Sequence, residues 1–191
     1  MAERDDRGRL PMLSMAAAKQ AATDAGIPEI MAPLSVFRML LQHPKLARAL
    51  SDLLSTLFFD PKLDARLREL VIMRIGWATG SVYEWTQHWR IARGLGMSED
   101  DILGVRDWQS HAGYGPAEKA VLAATDETMR TGAISQETWR ECATHVGSTE
   151  ALIELVVAIG NWRLFSSLLR SLEVPLEDGV AAWPPDGRSP V

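Results

Sequence analysis

From Leu67 to Trp77 the chain is apolar almost all the way round a helix, with Leu67, Leu70, Val71, Ile72, Met73, Ile75 and Trp77 in the run. A helix of that kind is buried. Glu69 stands inside it. A carboxylate without a partner in an apolar interior costs several kcal/mol, so the fold must bring something to meet it. The next stretch offers candidates. Glu84 and His88 are four apart, which stacks them on one helix face. The economical reading is that Glu69, Glu84 and His88 converge in one pocket. Two plainer readings compete with it. Arg66, Arg68 or Arg74 offers Glu69 an ordinary ion pair. A Glu–His pair at this spacing is also common on helix surfaces, where it contributes about 0.2–0.5 kcal/mol.

Turn signals elsewhere fall at helix intervals, and no stretch alternates as a half-buried strand does. Good helix formers fill 12–25, with Gly26 and Pro28 as stops. Pro33 precedes a short amphipathic helix ended by Pro44, and 45–59 repeats leucine at helical spacing. Asp64 reads as the N-cap of the helix carrying Glu69, which Gly80 breaks. A new helix starts near Ser81 and runs to Gly94 or Gly96. Ser98, Pro116, Ser135 and Ser148 open four more, and 111–115 is a loop. The expectation is an all-α single domain of about eight helices over 12–178. It is flanked by a mobile segment at 1–11 and a tail at 179–191.

Composition narrows the function. The 191 residues carry a formal net charge of −5 and no run of Lys and Arg, which argues against a broad nucleic-acid surface. Cys142 is the only cysteine. It excludes an internal disulfide, a CxxC redox pair and a cysteine-rich zinc site, and fits a reducing, cytoplasmic setting. The acidic N-terminal stretch is unlike a secretory signal. No segment is expected to reach the roughly 18 apolar residues of a membrane span. Glu69, Glu84 and His88 supply three metal ligands at most, and three-ligand zinc sites carry more histidine; neither metal nor cofactor is expected.

The stretch LDARLRELVIMRIGWATGSVYEWTQHWRIARGLGMSEDDI resembles the core of the carboxymuconolactone decarboxylase and AhpD-like superfamily. The likeness extends over roughly residues 45–175. Members of the peroxidase branch carry a glutamate, a CxxC pair and a histidine. At the matching spacing stand Glu69, Ser81, Glu84 and His88, so both redox cysteines are replaced. Sulfur redox chemistry needs a thiolate and usually a resolving thiol. The decarboxylase branch has a glutamate and a histidine four apart, as Glu84 and His88 are. The resemblance implies an AhpD-like helical fold and self-association as dimers, trimers or hexamers. It also implies a cofactor-independent lyase or isomerase acting on a small carbonyl or lactone acid.

The residues suit proton transfer beside a carbonyl. Histidine exchanges protons near neutral pH, and a carboxylate of raised pKa serves as acid or base. His88 is the expected proton shuttle, Glu84 its orienter and Glu69 a second acid/base. Ser81 and Tyr83 are candidates to hydrogen-bond an oxyanion. Trp77, Trp85, Trp89 and Trp162 are candidate pocket walls, although tryptophans more often anchor a core or interface. His43 and His111 are expected to be solvated. Two rivals stand beside the enzyme: a residual hydroperoxide-consuming activity, and a non-catalytic helical oligomer that binds a ligand or partner.

Overall fold

The structure, a computed structural model, describes residues 8–190. Most of the segment expected to be mobile, 1–7, lies outside them. Arg9 is described: its backbone N–H donates to the Leu172 carbonyl at 2.9 Å, and its Nε to Glu173 Oε1 at 3.0 Å. Nine helices and no strand occur among the described residues. The chain divides into two compact units, residues up to 60 with 168–180, and residues 61–167 with 181 onward.

The first unit holds α1 (Met15–Ala25), α2 (Ser35–Leu40) and α3 (Pro44–Phe59). Ser14 caps α1, its hydroxyl accepting from Ala17 N–H, and Gly26 ends it in the left-handed region at φ 69°. Pro44 is the first residue of α3, where its missing N–H is harmless. His43 is not merely solvated: its ring accepts from the Leu46 N–H at 3.3 Å and caps the helix.

The second unit holds α4 (Ala65–Thr79), α5 (Val82–Gly94), α6 (Glu99–Gly104), α7 (Pro116–Thr131), α8 (Gln136–His145) and most of α9 (Thr149–Ser171). Asp64 caps α4 through Leu67 N–H at 3.0 Å. Gly80, at φ 67°, turns the chain into α5. The two helices approach closely because residue 76 is glycine. A Cβ there would lie 3.1 Å from the Trp85 backbone nitrogen and 3.4 Å from its Cα, and backbone cannot yield as a flexible side chain can. Gly76 thus sets the spacing that lets residues of α4 and α5 meet.

Three expectations need correction. The segment after Ala181 is not a free tail. Within the second unit, Trp85 Nε1 donates to the Pro184 carbonyl at 2.8 Å, and the Trp183 ring packs against Trp77 and Trp85. Arg106 grips Asp186 with two hydrogen bonds of 2.7 and 2.9 Å. His111 is half-buried and meets the Tyr114 ring edge-on at 4.3 Å. The expectation that no segment reaches membrane-span length also fails for α9. By length and composition it is long and apolar enough to cross a membrane, with 44% of its most apolar window buried within the protein. It carries a buried stripe (Leu155, Ala158, Ile159, Trp162, Phe165) and an exposed apolar one (Ile153, Val156, Val157, Leu164).

Candidate functional site

Glu69 projects from the buried helix α4 and is 0% exposed. One of its oxygens, Oε2, lies 2.7 Å from His88 Nδ1. The other, Oε1, accepts from Arg68 Nε at 3.1 Å and faces Arg68 Nη2 at 3.1 Å. Arg68 is itself buried. The ion pair that sequence left open among three arginines is therefore made by Arg68. Arg66 instead holds Asp101 and Glu118, and Arg74 holds Asp126.

Glu84 and His88 share a face of α5, but not at the surface: both are buried. Glu84 Oε2 is 3.4 Å from His88 Nε2. The same nitrogen accepts a hydrogen bond from Trp162 Nε1 at 3.1 Å, with the two rings edge-on. A tautomer follows from these partners. Nδ1 carries the proton and donates to Glu69, while Nε2 presents its lone pair to the Trp162 N–H and to Glu84.

Burial pushes the Glu84 carboxyl up to about 7, with Glu69 adding to the rise and His88 opposing it. His88 is subject to opposing effects. Burial works against its charged form, but Glu69 and Glu84 together prevail, and its pKa is raised. The Trp162 N–H pulls the other way, because a protonated Nε2 would face it donor to donor. Near neutral pH the Glu84 carboxyl, 3.4 Å from Nε2, is therefore poised between its protonated and ionised forms.

This arrangement has a signature in stability. A carboxyl whose native pKa lies above its unfolded value of 4.5 binds more protons folded than unfolded, so stability falls as pH rises from 4.5 to about 7. The raised His88 acts in the same sense: its contribution is full below 6.5 and is lost as pH passes its native value. Glu84→Gln is therefore expected to be more stable than the parent at pH 7 and to match it near pH 4.5. The difference is on the order of 3 kcal/mol and is measured by urea unfolding across that range.

The other candidates are placed as follows. Ser81 is the N-cap residue of α5 but makes no capping bond with its side chain. It is 1% exposed, and its hydroxyl has no hydrogen-bond partner among the described residues. It precedes Glu84 by three and His88 by seven, on the same helix face. Tyr83 is buried beside Glu84. Trp162 touches the site directly. Trp77 and Trp85 are not shown against it. They contact each other at 5.3 Å, with the Arg106 guanidinium over both rings at 4.5 and 4.9 Å. Trp89 stacks on Trp85. Sequence reasoning underrated Arg68, treating it as one of three interchangeable cations, and took Trp162 for a wall when it is a hydrogen-bond donor to the imidazole. No spacing rule points to either residue.

The three side chains are buried. A cavity of about 440 Å³ in this unit is lined by Trp108, Tyr114, Pro116, Lys119, Thr138 and Glu141 among others, and by none of Glu69, Glu84 and His88. Cys142, on α8, is buried against the Ala120 carbonyl, and burial pushes its thiol up to about 11.

Residues 44–127 match the family described as the carboxymuconolactone decarboxylase family. No curated protein matches the sequence. Among solved structures, an uncharacterized peroxidase-related protein from a Silicibacter species is similar with a TM-score of 0.76 at 13% identity, over 94% of this chain and 97% of that one. The alkylhydroperoxidase AhpD core protein from Ralstonia eutropha is similar with a TM-score of 0.74 at 17% identity, over 91% and 94%. The debrominase Bmp8, solved in complex with tribromopyrrole, is similar with a TM-score of 0.67 at 20% identity, over 84% of each chain. These likenesses establish the fold.

Proposed function

We propose that this chain, whose residues 44–127 match the carboxymuconolactone decarboxylase family and whose fold is similar to AhpD-like structures, carries out cofactor-independent proton transfer. The class is a lyase or isomerase acting on a small carbonyl or lactone compound. One observation carries the reading: a buried imidazole stands between two carboxylates, at 2.7 Å from one and 3.4 Å from the other.

The geometry favours exchanging the roles that sequence assigned to the two acids. Glu69, fixed by Arg68, orients His88 through Nδ1 and stabilises the imidazolium when it forms. Nε2 is then the base that takes a proton from carbon next to the substrate carbonyl. Glu84, carrying a proton near neutral pH, donates it to the developing enolate oxygen. Return of a proton at a second carbon completes a double-bond shift. Trp162 must release Nε2 for the substrate to reach it.

The peroxidase reading is disfavoured by the side chains. Ser81 and Glu84 stand where it needs thiols, and Cys142 is buried with its thiol held neutral. Cys142→Ser is expected to leave any slow peroxide consumption unchanged in a thiol-coupled assay. It is also expected to leave catalysed exchange of α-hydrogens in deuterium oxide unchanged, on a panel of cyclic ketones and lactones. Loss of rapid peroxide turnover on that single change would favour the sulfur reading instead.

Burial of the three side chains favours a second reading, a non-catalytic helical oligomer with a ligand-binding pocket. Absence of exchange across the panel, together with tight binding of a panel member, would select it. In either reading the exposed apolar stripe of α9 supports self-association.

A further inference from the structure

We propose that the Glu84–His88 edge of the site takes an uncharged carbonyl compound and rejects the corresponding free carboxylate. The inference rests on the proton-transfer reading above and narrows its substrate class from lactone and keto acids to neutral lactones, ketones and esters.

The guanidiniums of α4 are each engaged by a carboxylate. Arg68 is the buried cation beside the imidazole, and its Nε and Nη2 are both turned to Glu69 Oε1. The other arginines of α4 hold carboxylates elsewhere: Arg66 holds Asp101 and Glu118, and Arg74 holds Asp126 through two hydrogen bonds. Arg106 is held by Asp186. An arriving carboxylate would therefore meet Glu84 with each of these guanidiniums already engaged. Its counter-ion could only be His88, which already stands between Glu69 and Glu84, so three acids would share Arg68 and the imidazole, and burying the third is strongly unfavourable. A neutral carbonyl oxygen meets the opposite situation. The protonated Glu84 carboxyl is a donor, and the Ser81 hydroxyl, buried and without a partner among the described residues, stands three residues before it as the N-cap of α5. The protein's own side chain points the same way: burial drives the Glu84 carboxyl toward its neutral form.

The test uses matched pairs at pH 7: methyl esters and free acids of oxocyclohexanecarboxylate and of a butenolide carboxylate. Binding is read from the His88 ring nitrogens and the Trp162 indole N–H by NMR titration. The esters are expected to perturb both signals at concentrations about 100-fold or more below those the acids require. Acids that bind as tightly as their esters overturn the inference and leave the proton-transfer reading standing. If no member of any pair perturbs either signal, the reading of this site as a substrate site fails, and the inference with it. A second variant tests the cause. Glu69→Gln releases Arg68, and the acids are expected to gain at least about tenfold relative to the esters. No gain would show that the engagement of Arg68 does not set the preference.

Discussion

His88→Ala is expected to lower catalysed α-hydrogen exchange by about a thousandfold, within the 10²–10⁴ range usual for removing a positioned acid–base group. The size of the effect follows from the position of the ring. It contacts both carboxylates, through separate nitrogens. Without it Glu69 has no route to the substrate, and Glu84 loses its imidazole neighbour. The fold should survive, because Arg68 still neutralises Glu69. Retained helicity with lost exchange is the expected combination, read by circular dichroism and by NMR in deuterium oxide. Full exchange in this variant would remove His88 from the mechanism.

The largest loss of stability is expected from Arg68→Met. Arg68 is 4% exposed and Glu69 0%, so the change leaves a carboxylate deep in α4 with the imidazole as its partner. Breaking a buried pair from one side costs about 3–5 kcal/mol. In a chain of this size that lowers the melting temperature by roughly 6–20 °C. Removing both charges is a different experiment. Arg68→Met combined with Glu69→Met replaces the pair by apolar volume, which is often neutral or stabilising. The double variant should regain much of the melting temperature and none of the exchange activity, because His88 loses the carboxylate that holds Nδ1. Calorimetric melting of the two variants beside the parent checks this. A double variant no more stable than the single one would mean that Glu69 matters for packing rather than charge.

Much of this architecture was legible in the sequence because it rests on local rules. Asp64, Ser98 and Ser135 cap where capping chemistry places them, and Gly80 breaks α4 from α5 in the left-handed region. The need of Glu69 for a partner followed from one acid in an apolar helix. What escaped was non-local. Neighbours one apart on a helix do not face each other, so spacing gave no reason to choose Arg68, whose long side chain nonetheless reaches Glu69. Trp162 donates to His88 from 74 residues away, and no periodicity announces such a bond. The C-terminal segment reads as a tail from its prolines and glycine. Its attachment depends on Trp183 and Asp186 finding Trp85 and Arg106, partners visible only in three dimensions. Pro44 shows a signal read at one end only: it both follows α2 and begins α3.

The most direct test of the account is a pH titration of the ¹⁵N-labelled His88 ring, in the parent and in Glu84→Gln. The account predicts a proton fixed on Nδ1 throughout the neutral range, and a response at Nε2 near pH 7 that disappears when Glu84 can no longer ionise. A ring that titrates freely near the ordinary histidine value, with both nitrogens averaging and no difference between the two proteins, would contradict it.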